Sequence, residues 1–157
     1  MSKKQIIILV IIAIIALFFL VKIIKNAMTS EEAKIKKLIK ECAADFEDKK
    51  FNKIFKRVTD DYTDEGKNTK KSLRTDSNLI IAMASDIDVS IRDLRVVVSD
   101  DEKNAEAGFV ARVHMNTKFG EFDALKEGND QIKLYLRKEG GEWMVYKSSL
   151  KKYQTDF

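Results

Sequence analysis

The chain has 157 residues, a formal net charge of +4, one cysteine, one histidine and no proline. That length is about one domain's worth. Lone Cys42 excludes an intramolecular disulfide and a Cys-based metal site, lone His114 excludes a multi-His zinc site, and interleaved Lys/Arg and Asp/Glu do not make the basic stripe that nucleic-acid binding needs.

The first element is a membrane anchor. Residues 6–21 carry no polar side chain, and Ile23 and Ile24 continue the run beyond Lys22. A helix here spans close to the ~30 Å hydrocarbon core if Lys22 snorkels. A cleaved signal peptide would need a shorter apolar run and small residues at a cleavage site, and Lys22–Ser30 offers no A-x-A-like site. A buried core helix would show a polar face. The chain therefore divides into a tail and signal anchor, residues 1–28, and a domain over 29–157, with residues 5–24 in the bilayer. A short basic N-tail (Lys3, Lys4) before an anchor stays inside, which puts the domain on the extracytoplasmic side; the plain count of positive residues after the anchor points the other way. Lys22, Lys25, Lys34 and Lys37 lie close enough to the membrane to touch anionic head groups, and a solvated helix face is the competing reading of the last two.

Thr29 with Glu32 forms a capping box, and Ile35, Leu38, Ile39, Cys42 and Phe46 recur at helical spacing, which predicts a helix over 30–48. Phe51, Ile54, Phe55 and Val58 make a second, short helical face. The segment Asp60–Gly66 is predicted as a turn. A third helix follows Asn68 or Thr69 and runs to about Ser85, with Leu73, Ile80, Ile81 and Ala84 inward.

From Ile87 the period becomes two. Ile87, Val89 and Ile91 share a face, then Leu94, Val96 and Val98 take over, so the phase shifts at Arg92–Asp93 as a β-bulge requires. Residues 99–104 are a polar hairpin turn. The next strand sets Ala107, Phe109, Ala111, Val113 and Met115 against Glu106, Gly108, Val110, Arg112, His114 and Asn116. A loop at 120–129 leads to a strand with Ile132, Leu134 and Leu136, and the turn Glu139–Glu142 leads to a last strand from Trp143. Helices first and antiparallel strands after is the α+β pattern.

The residues Phe51–Tyr62, Asp64–Gly66, Ile87–Val98, Ala105–Val113 and Ile132–Val145 resemble the nuclear transport factor 2-like (cystatin-like, cone-shaped) superfamily. The resemblance covers about 30–152 and implies helices closing over a concave, mostly antiparallel sheet to leave a cone. It says little about activity, because this fold carries isomerases, dehydratases, transport factors and scaffold domains. In the resembled enzymes a Tyr and an Asp in the cone do chemistry, and Tyr62 with Asp64 echoes that placement.

Tyr62, Asp64, Phe109 and Trp143 are thus the ligand-binding candidates at the cone's rim and interior. Each has a plainer reading: Asp64 as a turn former, Tyr62 and Trp143 as packing residues. The acidic cluster at 60–65 fails as a Ca²⁺ loop, since starting at Asp61 puts Ser72 where the closing Glu belongs. His114 is the obvious acid–base residue, but parity turns it away from Phe109, Val113 and Met115 and predicts a surface histidine titrating near its ordinary value. Cys42 reads as a small buried hydrophobe. No cofactor motif and no catalytic pair is present. Three functions stay open: a membrane-tethered, non-catalytic module binding a small ligand, a partner protein or a second copy of itself; a structural envelope subunit resembling VirB-type inner-membrane scaffolds; and an isomerase- or dehydratase-like enzyme. A polar cone would favour the enzyme, and a filled cone with an apolar outer sheet face would favour assembly.

Overall fold

The structure, a computed structural model, describes residues 30–125 and 130–152. The expected anchor with Lys22 and Lys25, and Thr29 of the expected capping box, lie outside them. Among the described residues no helix is long and apolar enough to cross a membrane.

Helix α1 spans Glu31–Glu47. Its N-cap is Ser30, whose hydroxyl accepts from Ala33 N at 3.1 Å, one residue later than the Thr29 cap expected. Glu31 and Glu32 sit in the first turn, where the helix dipole favours them. Helix α2 is a single short segment, Phe51–Phe55, and Val58 belongs instead to the strand that follows. That strand, β1 (Val58–Asp64), corrects the expected turn at 60–66. Asp is a poor strand former, which hid it. Here β1 is a sheet edge paired with the last strand, and charged side chains are at home on an edge.

Helix α3 (Lys70–Met83) starts at Thr69, whose side chain and that of Ser72 cap each other's backbone N–H. Leu73 and Ile80 turn inward, but Ile81 is 46% exposed, contrary to the predicted inner face. The chain then enters β2 (Ala84–Val98), and a register shift falls between Arg92 and Arg95 at the predicted bulge. Asp93 takes φ 56° there, a left-handed conformation that Asp tolerates better than most residues.

Strand β3 (Asn104–Thr117) is the axis of the sheet. One edge pairs along its length with β2. The other is shared: β5 (Asp130–Glu139) takes residues 104–110, and β4 (Gly120–Leu125) takes residues 113–117. Strand β4 was expected to be loop. It is short, carries acids, and is held by the tight turn after Thr117, whose hydroxyl donates to Gly120 O at 2.8 Å. Strand β6 (Glu142–Lys152) follows a two-glycine turn in which Gly140 and Gly141 have φ of 57° and 84°, as a two-residue hairpin with this twist requires. The sheet order is β1-β6-β5-β3-β2, antiparallel except for β1 beside β6. The helices lie on the face that carries Ala105, Ala107, Phe109, Ala111 and Met115, so α+β with a curved sheet is the observed class.

Candidate ligand cavity

The cone is filled at one end and hollow at the other. Near the start of α1, Ile35, Ala107 and Leu136 are fully buried against Ala105 and Trp143. Farther along, α1 offers Leu38, Cys42 and Phe46, α3 offers Leu73 and Ile80, and the sheet offers Phe109, Ala111, Val113 and Met115. Between them lies a cavity of about 440 Å³, within the size range of small-molecule sites.

Its wall is almost wholly hydrocarbon. Tyr62 and Ser148 contribute hydroxyls, but these bond each other at 2.6 Å. Burial pushes the Tyr62 phenol up from its ordinary value. Arg57 reaches the wall with its guanidinium committed to Glu41 at 2.8 Å. Burial raises the Cys42 thiol to about 11, so it stays protonated and behaves as an apolar group near neutral pH. No carboxylate or imidazole is among the described lining residues.

Of the four ligand candidates, the structure brings Tyr62 and Phe109 to the cavity. Asp64 is not on its wall. Its carboxylate closes the turn after β1, accepting from Asn68 N at 2.8 Å and Asn68 Nδ2 at 2.9 Å. Trp143 lies in the filled end, 4% exposed, and its Nε1 donates to Glu31 Oε2 at 2.6 Å. Glu31 also meets Lys34 at 2.7 Å and Lys138 at 2.9 Å; bonding to Lys34 first, then to Lys138 and Trp143, holds its carboxyl down at about 2. Lys34 is thus occupied within the domain. Lys37 stays exposed, 3.8 Å from Glu41.

His114 points away from the cone, as parity required, but it does not titrate at its ordinary value. Its Nδ1 lies 2.7 Å from Asp123 Oδ1 on β4, and that carboxylate raises its pKa. The expected ordinary value failed because Asp123 stood in a segment read as loop. Ser148 was missed for a different reason. Alternation from Trp143 and Val145 turns Lys147 inward, but a register shift opposite Tyr135–Leu136 flips the strand and turns Ser148 in. Nothing in the sequence marks that bulge.

No family model matches the chain, and no curated protein matches it in sequence. Solved structures do match in shape. A proposed aromatic ring hydroxylase from Novosphingobium aromaticivorans aligns with TM-score 0.65 at 12% identity, over 77% of this chain and 87% of that one. A proposed scytalone dehydratase from the same organism aligns with TM-score 0.63 at 12% identity, over 79% and 85%. An NTF2-like protein of unknown function from Pseudomonas putida aligns with TM-score 0.61 at 15% identity, over 80% and 91%. Likeness at such identities speaks for the fold alone, and the fold of the described residues is the nuclear transport factor 2-like cone.

Proposed function

We propose that the chain is a membrane-tethered, non-catalytic module whose cone holds an apolar small molecule. The observation that carries this reading is the cavity wall: ligand-sized, apolar, and with its two hydroxyls joined in one hydrogen bond. The hydrophobic effect would drive binding, at roughly 25 cal/mol for each Å² of apolar surface removed from water. General acid–base catalysis needs a titratable group within reach of the reacting atoms. Asp64 is committed to Asn68, and His114 sits on the other face of the sheet with Asp123, so the hydroxylase and dehydratase names of the structural neighbours do not carry over on these residues. The envelope-subunit alternative expected a filled cone, which the hollow end does not favour. Tethering rests on the unbroken apolar run at 6–21.

The test is titration with an environment-sensitive naphthylamine dye. Saturable fluorescence is expected, and Ala111→Trp, which fills the cone from its sheet wall, should abolish it. Equal dye binding by the variant would remove the cone as the site. Tethering is checked separately: the full chain should remain in carbonate-washed membranes.

A further inference from the structure

We infer that the cone continues past Met115 into an outer groove, and that the two together hold one long, unbranched amphiphile of the fatty-acid kind, tail inward. The inference rests on the cone being an apolar ligand site and names the shape and chemistry of what it takes. A second cavity, about 340 Å³, lies between the end of α3 and the β3–β4 turn, among Leu79, Met83, Phe119 and Phe122. It shares two wall residues with the cone, Ile80 and Met115. Met115 is an unbranched thioether that changes rotamer easily, so the partition is soft.

The joined space follows one face of β3: Phe109, Ala111, Val113 and Met115 on the cone side, then Met115 and Thr117 on the groove side. The eight steps of strand from Phe109 to Thr117, at about 3.3 Å each, make a passage of roughly 26 Å, which suits a single extended chain better than a ring system. Polarity sets the direction. The inner end has no charged partner to offer a carboxylate: the Tyr62 and Ser148 hydroxyls bond each other, and Arg57 is held by Glu41. The outer end carries the polar groups: Thr117 and Glu121 line it, and Lys118, whose Nζ lies 5.1 Å from the Phe119 ring centroid, is the residue between Thr117 and Phe119. Three large apolar side chains stand exposed around this mouth: Phe119 at 77%, Leu79 at 60% and Phe122 at 56%. A chain lying in the groove would cover them.

The test uses the full chain in lipid vesicles and photoreactive fatty acids, with cross-links mapped by mass spectrometry. A palmitate carrying its diazirine at the terminal carbon should label the inner cone near Tyr62, Leu134 and Ser148. A palmitate with the diazirine beside its carboxylate should label residues 117–122. A photoreactive octanoate, short enough for the cone alone, serves as the control. The double substitution Phe119→Asp and Phe122→Asp alters exposed positions only; it should lower cone labelling by palmitate about tenfold and leave octanoate labelling within about twofold. Both palmitates confined to the cone, or palmitate labelling unchanged by the double substitution, overturns the long-chain inference and leaves the cone reading standing. No cone labelling by any of the three overturns both.

Discussion

The two ends of α1 meet opposite conditions over the sheet. At its start, the facing residues of β3 are Ala105 and Ala107, and the space they leave is filled by Ile35, Leu136 and Trp143. The Glu31 carboxylate locks that end by bonding Trp143, Lys34 and Lys138 at once. Toward its end, β3 presents Phe109, Ala111, Val113 and Met115, and Cys42 and Phe46 of α1 with Leu73 and Ile80 of α3 border the cavity before them rather than close it. The helix is held there by polar contacts at the rim: Glu47 Oε1 accepts from Val89 N at 2.8 Å, and Lys49 donates to Ala84 O at 2.6 Å. One end of the cone is closely packed, and the other is bonded to the sheet at its rim around a cavity. Close packing is the normal state of a protein interior, so a hollow bordered by pinned rims points to an occupant.

The largest expected effect lies in the filled end. Leu136→Ala should cost ~2–5 kcal/mol, because a fully buried side chain leaves a new void. Val113→Ala, on a wall that already faces space, should cost about 1 kcal/mol or less. Denaturant midpoints separate the two, and equal losses would mean that the ends are equally packed.

A middle-sized effect probes the lock. Trp143→Phe keeps most of the ring's packing and removes the Nε1 donor to Glu31, so it should cost ~1.5–3 kcal/mol, the range for a hydrogen bond to a charged group. Because the Glu31 carboxyl is depressed, the stability it contributes is complete above the ordinary carboxylate range. It is lost as pH falls through about 2. The acid limb of a stability–pH curve should therefore move upward in Glu31→Gln.

The smallest effect sits on the outer face. His114→Ala should leave dye binding unchanged. The raised imidazole pKa means that the pairing with Asp123 stabilises β4 fully below about pH 6.5 and is lost as pH rises through the higher folded value. Wild type and variant should thus differ more at pH 5.5 than at pH 9. A difference that grows with pH would contradict the pairing. Proton NMR of the single histidine checks the shift directly.

Much of this frame was legible in the residues, where one face is apolar and the other is not. The strict alternation from Ala107 to Met115 set the inner face of β3, and the phase change at Arg92–Asp93 located the bulge in β2. Strands β1 and β4 were not legible, since each borrows its strand character from a neighbour's edge, and Asp60, Asp61 and Asp123 argue locally for loop. That loss carried into the site, because the partner of His114 is on β4. Tyr62 and Phe109 were placed at the cavity, but Trp143 was drawn into the filled end by Glu31 across the length of the chain, a contact with no local signal. The hollow itself is a difference between side-chain volume and the spacing of backbones, and composition does not record it.

The most direct test of that hollow is one substitution made twice on the same face of β3. Ala107→Leu places a larger side chain in the filled end and should cost ~1–3 kcal/mol by overpacking. Ala111→Leu, four residues on, pushes the same side chain into the cavity and should change stability by no more than about 0.5 kcal/mol, or raise it. Chemical denaturation of the two variants beside wild type decides the matter. A large gap in that direction is the predicted result; equal destabilisation would show that the cone is filled at both ends and that no ligand space exists.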